Sequence, residues 1–431
     1  MLNVTDLQNL LASSNVTVTT TGSGVQAGDI KSDAPFAWSN SNKLALDAYQ
    51  SVHIEMPVSI AGQGGLTITT NDGGKNGYFG FGAKGNITFA NLSSALSING
   101  AGYMLAGNIA TLASDIATNP SGSYALANNY DASGDGTYSS SPIATTFGGN
   151  FNGLGNTISN LTIDDSTSGD NVGFFSSIQS AGFVTGIRLS KFSIKASTNG
   201  AGIGGLAGVS SGKVANAYVN GSLDASSDRA GAGRGGLIGI SNGNVIRSGS
   251  SVSILSGSNN VVGGLVGGNE GNIAESYAVA TISANTNVYV GGAMGANEGS
   301  VTQSYAMGRI TGSGEQYAGG FVGVNGIGIT QSYSTTALKN TGHHNPDAGG
   351  LIGLDNLSSG SDKSDYWDRT TSKIRGRKRG AGSPKKDPGI TGLTTDQLQS
   401  ALPTGFDPKV WAEDKNINNG YPYLIDNPPQ K

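Results

Sequence analysis

Apolar side chains recur along this chain in two different phases. Between residues 44 and 98 they alternate with polar ones in short pairs, Leu44/Leu46, Val52/Ile54, Val58/Ile60, Leu66/Ile68, Ile87/Phe89 and Leu96/Ile98. Short period-two runs separated by turn-forming residues predict half-buried strands. Leu44 to Leu66 spans 22 residues and Leu66 to Ile87 spans 21, which predicts narrow turns of a coil built from strands. Further on the period lengthens. Gly-Gly pairs fall at 204–205, 235–236, 263–264, 291–292, 319–320 and 349–350, so that Gly205, Gly236, Gly264, Gly292, Gly320 and Gly350 are separated by 31, 28, 28, 28 and 30 residues. Behind each pair comes Leu206, Leu237, Leu265, Ala293, Phe321 or Leu351. A second apolar position holds Val214, Val245, Ile273, Val301 and Ile329, and a third holds Leu223, Ile254, Ile282, Ile310 and Leu338.

A unit of about 28 residues with three short alternating stretches and no helical periodicity predicts one turn of a β-solenoid. Equivalent strands then pair one turn apart, about 4.8 Å along the axis, and identical positions stack. Glycine permits the close backbone approach of a narrow interior. Ile273 and Ile282 are an odd number of residues apart and cannot share a face of one flat strand, so a corner is expected between them, at Ser276-Tyr277. Ser210, Ser241, Asn269, Asn297, Asn325 and Asp355 align, which predicts a polar ladder with amide hydrogen bonds along the axis. Short helices are expected at 6–11 behind Thr5 and at 396–402 behind Thr394 or Thr395. The segment Tyr421-Pro-Tyr-Leu-Ile425 is expected to cap the last turn.

Composition agrees with this picture. Seventy of 431 residues are glycine and only 13% are charged, against about 7% and 25% in ordinary domains, too few charges for the exposed faces of a helical protein. The glycines follow no three-residue period, which excludes collagen. No apolar run approaches the roughly 18 residues of a membrane span. The absence of cysteine removes disulfides, thiolate metal sites and cysteine nucleophiles. The opening Met1-Leu-Asn-Val-Thr-Asp lacks a signal-peptide pattern, and the chain is read as an internal piece of a longer exported protein. Four regions are expected: N-terminal β-helix turns of about 21–22 residues over 1–130, connecting turns over 131–170, the long repeats over 171–360, and a basic loop with a C-terminal cap over 361–431.

The unit Gly263-Gly-Leu-Val-Gly-Gly-Asn-Glu-Gly-Asn-Ile-Ala-Glu-Ser-Tyr277 resembles the GLUG repeat of large bacterial surface proteins. The pattern at 44–54 is similar to repeats of filamentous haemagglutinin-type adhesins exported by two-partner secretion. Asp365-Tyr-Trp-Asp368 and Gly420-Tyr-Pro-Tyr-Leu424 resemble the segments that close GLUG arrays. The resemblance implies a right-handed parallel β-helix, export through an outer-membrane secretion partner, and attachment to cells, glycans or surfaces. The expected architecture is therefore an all-β, right-handed parallel β-helix (β-solenoid) with short capping helices, about a dozen turns and roughly 60 Å long. The expected protein is a secreted or cell-surface, non-enzymatic, monomeric adhesive rod with a cell-surface or glycan ligand, no cofactor, no nucleic-acid partner and no membrane span. A β-helical polysaccharide-active enzyme and the stalk of a contact-dependent toxin delivery exoprotein are the alternatives.

Residues capable of chemistry are few. Of the three histidines, His53, His343 and His344, none belongs to a His-Glu-x-x-His zinc motif. Asp164-Asp165, with Arg188 and Lys191 downstream, is the tight carboxylate pair near a strand end, yet adjacent side chains on a strand diverge whereas acid–base work needs two that converge. Asp131, Ser133 and Asp135, followed by Gly136, resemble the first half of a Ca²⁺ loop, without the acidic twelfth position. The charge map has one local anomaly. Lys373, Arg375, Arg377, Lys378, Arg379, Lys385 and Lys386 occupy a stretch with no acid, leaving −11 on the rest of a chain whose net charge is −4. Such a run is a candidate site for anionic ligands, and lacking aromatic stacking partners it is a poor fit to nucleic acid.

Overall fold

The computed structural model describes all residues except 1, 23–26, 167–168, 198–201, 227–232, 259, 287, 313–315, 340–347, 358–361, 375–378, 384–386 and 431. Its strands form a parallel β-solenoid of about twelve turns. The N-terminal turns have three faces. Lys43–Asp47, Val52–Ile54 and Val58–Ile60 make one circuit, and Gly65–Thr69 stacks on the first of these with Leu44 opposite Leu66 and Leu46 opposite Ile68. Leu44, Val52, Ile54, Ile60, Ile68, Ile87 and Phe89 fill the interior, each essentially inaccessible.

The chain then reverses. Leu96–Ile98 pairs antiparallel with Ala101–Ala106, Ile98 opposite Ala101 and Leu96 opposite Tyr103. Asn99 (φ 49°) and Gly100 (φ 81°) make the turn, the two positive φ values that a tight hairpin needs to match strand twist. Beyond it the pairing is parallel again, with reversed strand direction, and the core changes sides. Leu105 and Ala125 pack into the N-terminal core, while their neighbours Ala106, Tyr124 and Leu126 pack into a second core that continues to Ile390. Alternate residues of one sheet thus serve two interiors.

Turns of the second core have four faces, one more than the three stretches legible in the repeat. Val261–Gly263, Val266–Asn269, Asn272–Ala274 and Tyr277–Ala284 make one circuit, and the glycine pair itself carries the extra strand. Leu206, Leu237, Leu265, Ala293, Phe321 and Leu351 stand in a buried column, each amide donating to the next carbonyl at 2.8–2.9 Å. A Cβ on Gly264 would lie 2.1 Å from the Gly292 carbonyl oxygen and 2.6 Å from the Ala280 methyl, and Gly236, Gly292 and Gly320 meet the next turn in the same way. The corner between Ile273 and Ile282 is turned by Glu275 (φ 49°), one residue before the expected Ser276-Tyr277, with Asn216, Arg247, Gln303 and Gln331 at the same position and 46–53° in φ.

Two polar ladders run along the axis. Asn269 donates to Asn297 (2.8 Å), Asn297 to Asn325 (2.9 Å) and Asn325 to Asp355 (3.3 Å). At the corner, the amides of Ser248, Ser276 and Ser304 each donate to the next serine hydroxyl at 3.1–3.2 Å, and Ser332 donates to Asp365 at 2.8 Å. Each solenoid opens under an amphipathic helix that covers its first turn. Val4–Ser13 is capped by Asn3, two residues before the expected start, and buries Leu7 and Leu11. Ile109–Thr118, absent from the sequence expectation, is capped by Asn108 and buries Ile109, Leu112 and Ile116. Thr395–Leu398 starts at a Thr394 capping box, as expected, and is shorter.

The C-terminal segment corrects another expectation. Rather than capping the last turn, it runs back along the flank over a column of tyrosines. Tyr277, Tyr305 and Tyr333 stack with centroids 5.2 and 5.3 Å apart. Leu398, Phe406, Trp411, Tyr421 and Leu424 cover them. The strap is tied by Tyr366 Oη to the Thr404 carbonyl (2.7 Å), Tyr333 Oη to the Pro422 carbonyl (2.6 Å), Tyr218 Oη to Asn427 (2.9 Å), and Tyr421 Oη to Asp368 (2.9 Å). Burial raises the Tyr305 and Tyr333 hydroxyls well above their ordinary range, so the column stays neutral.

Candidate functional site

Because the chain reverses at Asn99-Gly100, the N-terminal turns come to rest beside the second solenoid instead of below it. Arg188 bridges the two, its guanidinium donating to the carbonyls of Gly82 (2.7 Å), Gly85 (3.1 Å) and Gly155. Asn86 Nδ2 reaches Asn156 Oδ1 at 2.9 Å. Between the two bodies the contact opens into a cleft of about 470 Å³, lined by Asp29, Lys31, His53, Glu55 and Tyr78 from the N-terminal turns, Asn216 and Tyr218 from the second solenoid, and Asp426 and Gln430 from the strap. A neighbouring cleft of about 340 Å³ shares Tyr78 and Asn216 with it, and has Asn71, Asn99, Tyr103, Asn152, Thr185 and Lys213 on its walls.

The wall between the clefts is a charged stack. The Arg247 guanidinium sits 3.8 Å from the Tyr78 ring centroid and 3.7 Å from the Glu275 carboxylate. His53 meets the Tyr78 ring edge-on at 4.8 Å. Burial first, and then the Asp426 carboxylate, raise the Tyr78 hydroxyl far above its ordinary range, with Arg247 opposing them. Burial also raises Glu275, again against Arg247. Lys31 stands 3.9 Å from Glu55 and 3.6 Å from Asp33. Ring faces, amides and both signs of charge on a concave surface suit a polar ligand such as a sugar or an extended peptide. None of these residues except His53 was singled out in the sequence. The signal available was Asn99-Gly100 between alternating apolar residues, a strong short-range mark of a hairpin, which predicts the reversal that creates the junction.

The residues singled out from sequence lie elsewhere. Asp131 caps the short 3₁₀ turn Ala132–Gly134 and accepts from Ser133 N and Asn160 Nδ2, while Asp135 accepts from the hydroxyls of Tyr130 and Tyr138. Asp164 is exposed and pairs with Lys195 at 3.5 Å, whereas its neighbour Asp165 is buried, so the two diverge, and Arg188 is committed to the junction. Lys373 is exposed at the end of helix Arg369–Ser372, and Arg379 is half-buried with its carbonyl held by the Gly350 amide. Arg375, Arg377, Lys378, Lys385, Lys386, His343 and His344 lie outside the described residues. Among the described residues, the one group of three metal-ligand side chains close enough to share an ion is Asp355, Asp362 and Asp387.

No protein-family model matches the chain, and no curated protein does. The likeness to GLUG arrays and haemagglutinin-type exoproteins therefore stands on residue pattern alone. Solved structures do match. One is a Bacteroides ovatus protein named as a candidate immunoglobulin A1 protease, 17% identical, covering 76% of this chain and 93% of its own, with a TM-score of 0.47. Another is named IgA1 protease, 19% identical, covering 59% of this chain and 20% of its own, with a TM-score of 0.34. The expectation of a non-enzymatic chain is corrected to this extent: the solved structures it resembles are named as proteases, and that expectation is not kept. The names describe those proteins, and no activity passes from them to this chain at such identities and TM-scores.

Proposed function

We propose that the chain is the β-helical shaft of an exported bacterial surface protein, of the haemagglutinin-like kind that carries GLUG repeats, and that it attaches to glycans or cell surfaces. The observation that supports this is the flank left uncovered by the strap. Ser222, Ser253 and Thr281 project outward, exposed and in register on successive strands, and Arg309 continues the column. Hydroxyls repeated about every 4.8 Å offer contacts that are weak singly and strong when several are engaged at once. The junction cleft adds a concave site for a polar ligand. Export through an outer-membrane partner and a monomeric state belong to the same proposal.

The names of the structural neighbours make immunoglobulin A1 the first protein ligand to try, and its hydrolysis the first activity to measure beside binding. The full chain is applied to a glycan array and to immobilised immunoglobulin A1, while the soluble immunoglobulin is followed by gel electrophoresis. The proposal expects saturable binding to a glycan or to the immunoglobulin, weakened at least tenfold when Ser222, Ser253 and Thr281 are all replaced by Arg. Absence of binding throughout would refute it, and cleavage of the heavy chain would replace attachment with proteolysis.

A further inference from the structure

We infer that Asp355, Asp362 and Asp387 form a binding site for one divalent cation, Ca²⁺ in particular, at the turn where the repeat array ends. The three come from separate segments. Asp355 closes the strand Ile352–Asp355, Asp362 precedes Asp365–Asp368, and Asp387 precedes Ile390–Leu393. Folding gathers them into the interior, with 4%, 1% and 9% of their surfaces exposed. One carboxylate oxygen of each lies within 4.8 Å of those of the other two. Ca²⁺ holds its oxygen ligands at 2.3–2.6 Å, so two oxygens on one ion stand at most about 5 Å apart. A single ion therefore fits among all three.

The hydrogen bonding gives an independent indication. At each acid the fold engages Oδ1. Asp355 Oδ1 accepts from Asn325 Nδ2 and from the Leu357 amide, Asp362 Oδ1 from the Ile329 amide (2.8 Å), and Asp387 Oδ1 from the Gly389 amide (2.6 Å). The Oδ2 atoms of Asp355 and Asp362 are buried and meet no donor among the described residues outside the cluster, where the two carboxyls stand within hydrogen-bonding reach of each other. No described Lys or Arg forms an ion pair with either residue. Buried carboxylate oxygens are nearly always satisfied, and two such acids left together are strongly unfavourable. Buried carboxylate oxygens gathered within 4.8 Å of one another, two of them without a donor outside the cluster among the described residues, form a hard all-oxygen ligand set, which selects Ca²⁺ over metals that favour nitrogen or sulfur.

Position gives the ion a task. The asparagine ladder ends on Asp355 and the serine ladder ends on Asp365, three residues after Asp362. Where the repeat stops supplying amides and hydroxyls to the next turn, acids stand in their place. A cation there ties the final strands and the loops between them to the array, much as each asparagine ties one turn to the next.

The test uses the full chain, stripped with EDTA and titrated with CaCl₂ by calorimetry and by metal analysis after dialysis. The inference expects one Ca²⁺ per chain and a melting temperature that rises with CaCl₂. It also expects affinity at least tenfold weaker in Asp362→Asn and in Asp387→Asn, and unchanged in Asp131→Asn. No bound Ca²⁺, or binding lost in Asp131→Asn and kept in the other two, overturns it. Should Asp362→Asn or Asp387→Asn not fold, hydrogen exchange on the wild-type chain decides. Slower exchange of the Ile329, Leu357 and Gly389 amides with CaCl₂ supports the site, and protection confined to other regions overturns it.

Discussion

The two solenoids solve the same stacking problem by different means. The N-terminal turns enclose a three-faced interior filled by aliphatic and aromatic side chains, with strand pairing as the main link between turns. The second solenoid encloses four faces, brings one face close with glycine pairs, and adds asparagine, serine and tyrosine columns along the axis. The difference shows what a glycine-rich repeat does. A buried polar column is satisfied only when each turn presents its donor to the next acceptor, so it specifies register as well as adhesion between turns. Aliphatic packing alone tolerates more variation.

The sharpest way to break the second arrangement is at the glycine pair. Gly264→Val places side-chain atoms against the backbone oxygen of Gly292, a clash that no rotamer relieves, and should lower stability by about 3 kcal/mol or more. Hydrogen exchange should show the loss concentrated at 236–292, because stability in a solenoid is nearly a sum over neighbouring turns. Asn297→Ala should follow at about 2 kcal/mol, since it removes the acceptor of the Asn269 side-chain amide and of the Gly299 backbone amide and the donor to the Asn325 carbonyl oxygen, leaving Asn269 Nδ2 only its bond to the Gly271 carbonyl; chemical denaturation measures it. Arg234→Val should act in the opposite direction. Arg234 stands in a core column between Ile203 and Val262, fully buried, with no acceptor for its guanidinium among the described residues, and burial pulls it down to about 10. Replacing an unpaired buried charge by the column's own residue type should raise stability by about 1–3 kcal/mol. The smallest effect is expected at Gly268→Ala, four residues from Gly264, where an added Cβ meets nothing within 4 Å. A change within about 0.5 kcal/mol there separates glycines required by close approach from those that are not.

How much of this was legible differs between the regions for a physical reason. Position-specific stacking writes itself into sequence, so the Gly-Gly pairs, the Leu206-to-Leu351 column and the asparagine ladder could be read directly. The extra face could not, because Val261–Gly263 looks like the approach to a turn and only its partners one turn away make it a strand. The reversal is written in two residues, Asn99-Gly100, which the many other Asn and Gly of this chain mask. The junction cleft and the aspartate cluster depend on segments brought together after that reversal, or after the array ends, where no period links their positions. The strap lies on the flank and not over the last turn because its aromatic residues match a tyrosine column there, and repeat spacing alone does not say that Tyr277 and Tyr305 face outward.

The claim beneath all of this is that successive turns lie in one fixed register. A chain without cysteine allows it to be tested by paired substitution. Ser253 and Thr281 are neighbours on adjacent parallel strands, with Cα atoms about 4.8 Å apart, inside disulfide range, whereas Ser253 and Ser283 are offset by two residues and about 8 Å apart, beyond it. Mild oxidation should close the Ser253→Cys/Thr281→Cys pair nearly completely and leave Ser253→Cys/Ser283→Cys open. Equal closure of both pairs, or preferential closure of the offset one, would contradict the stacked register.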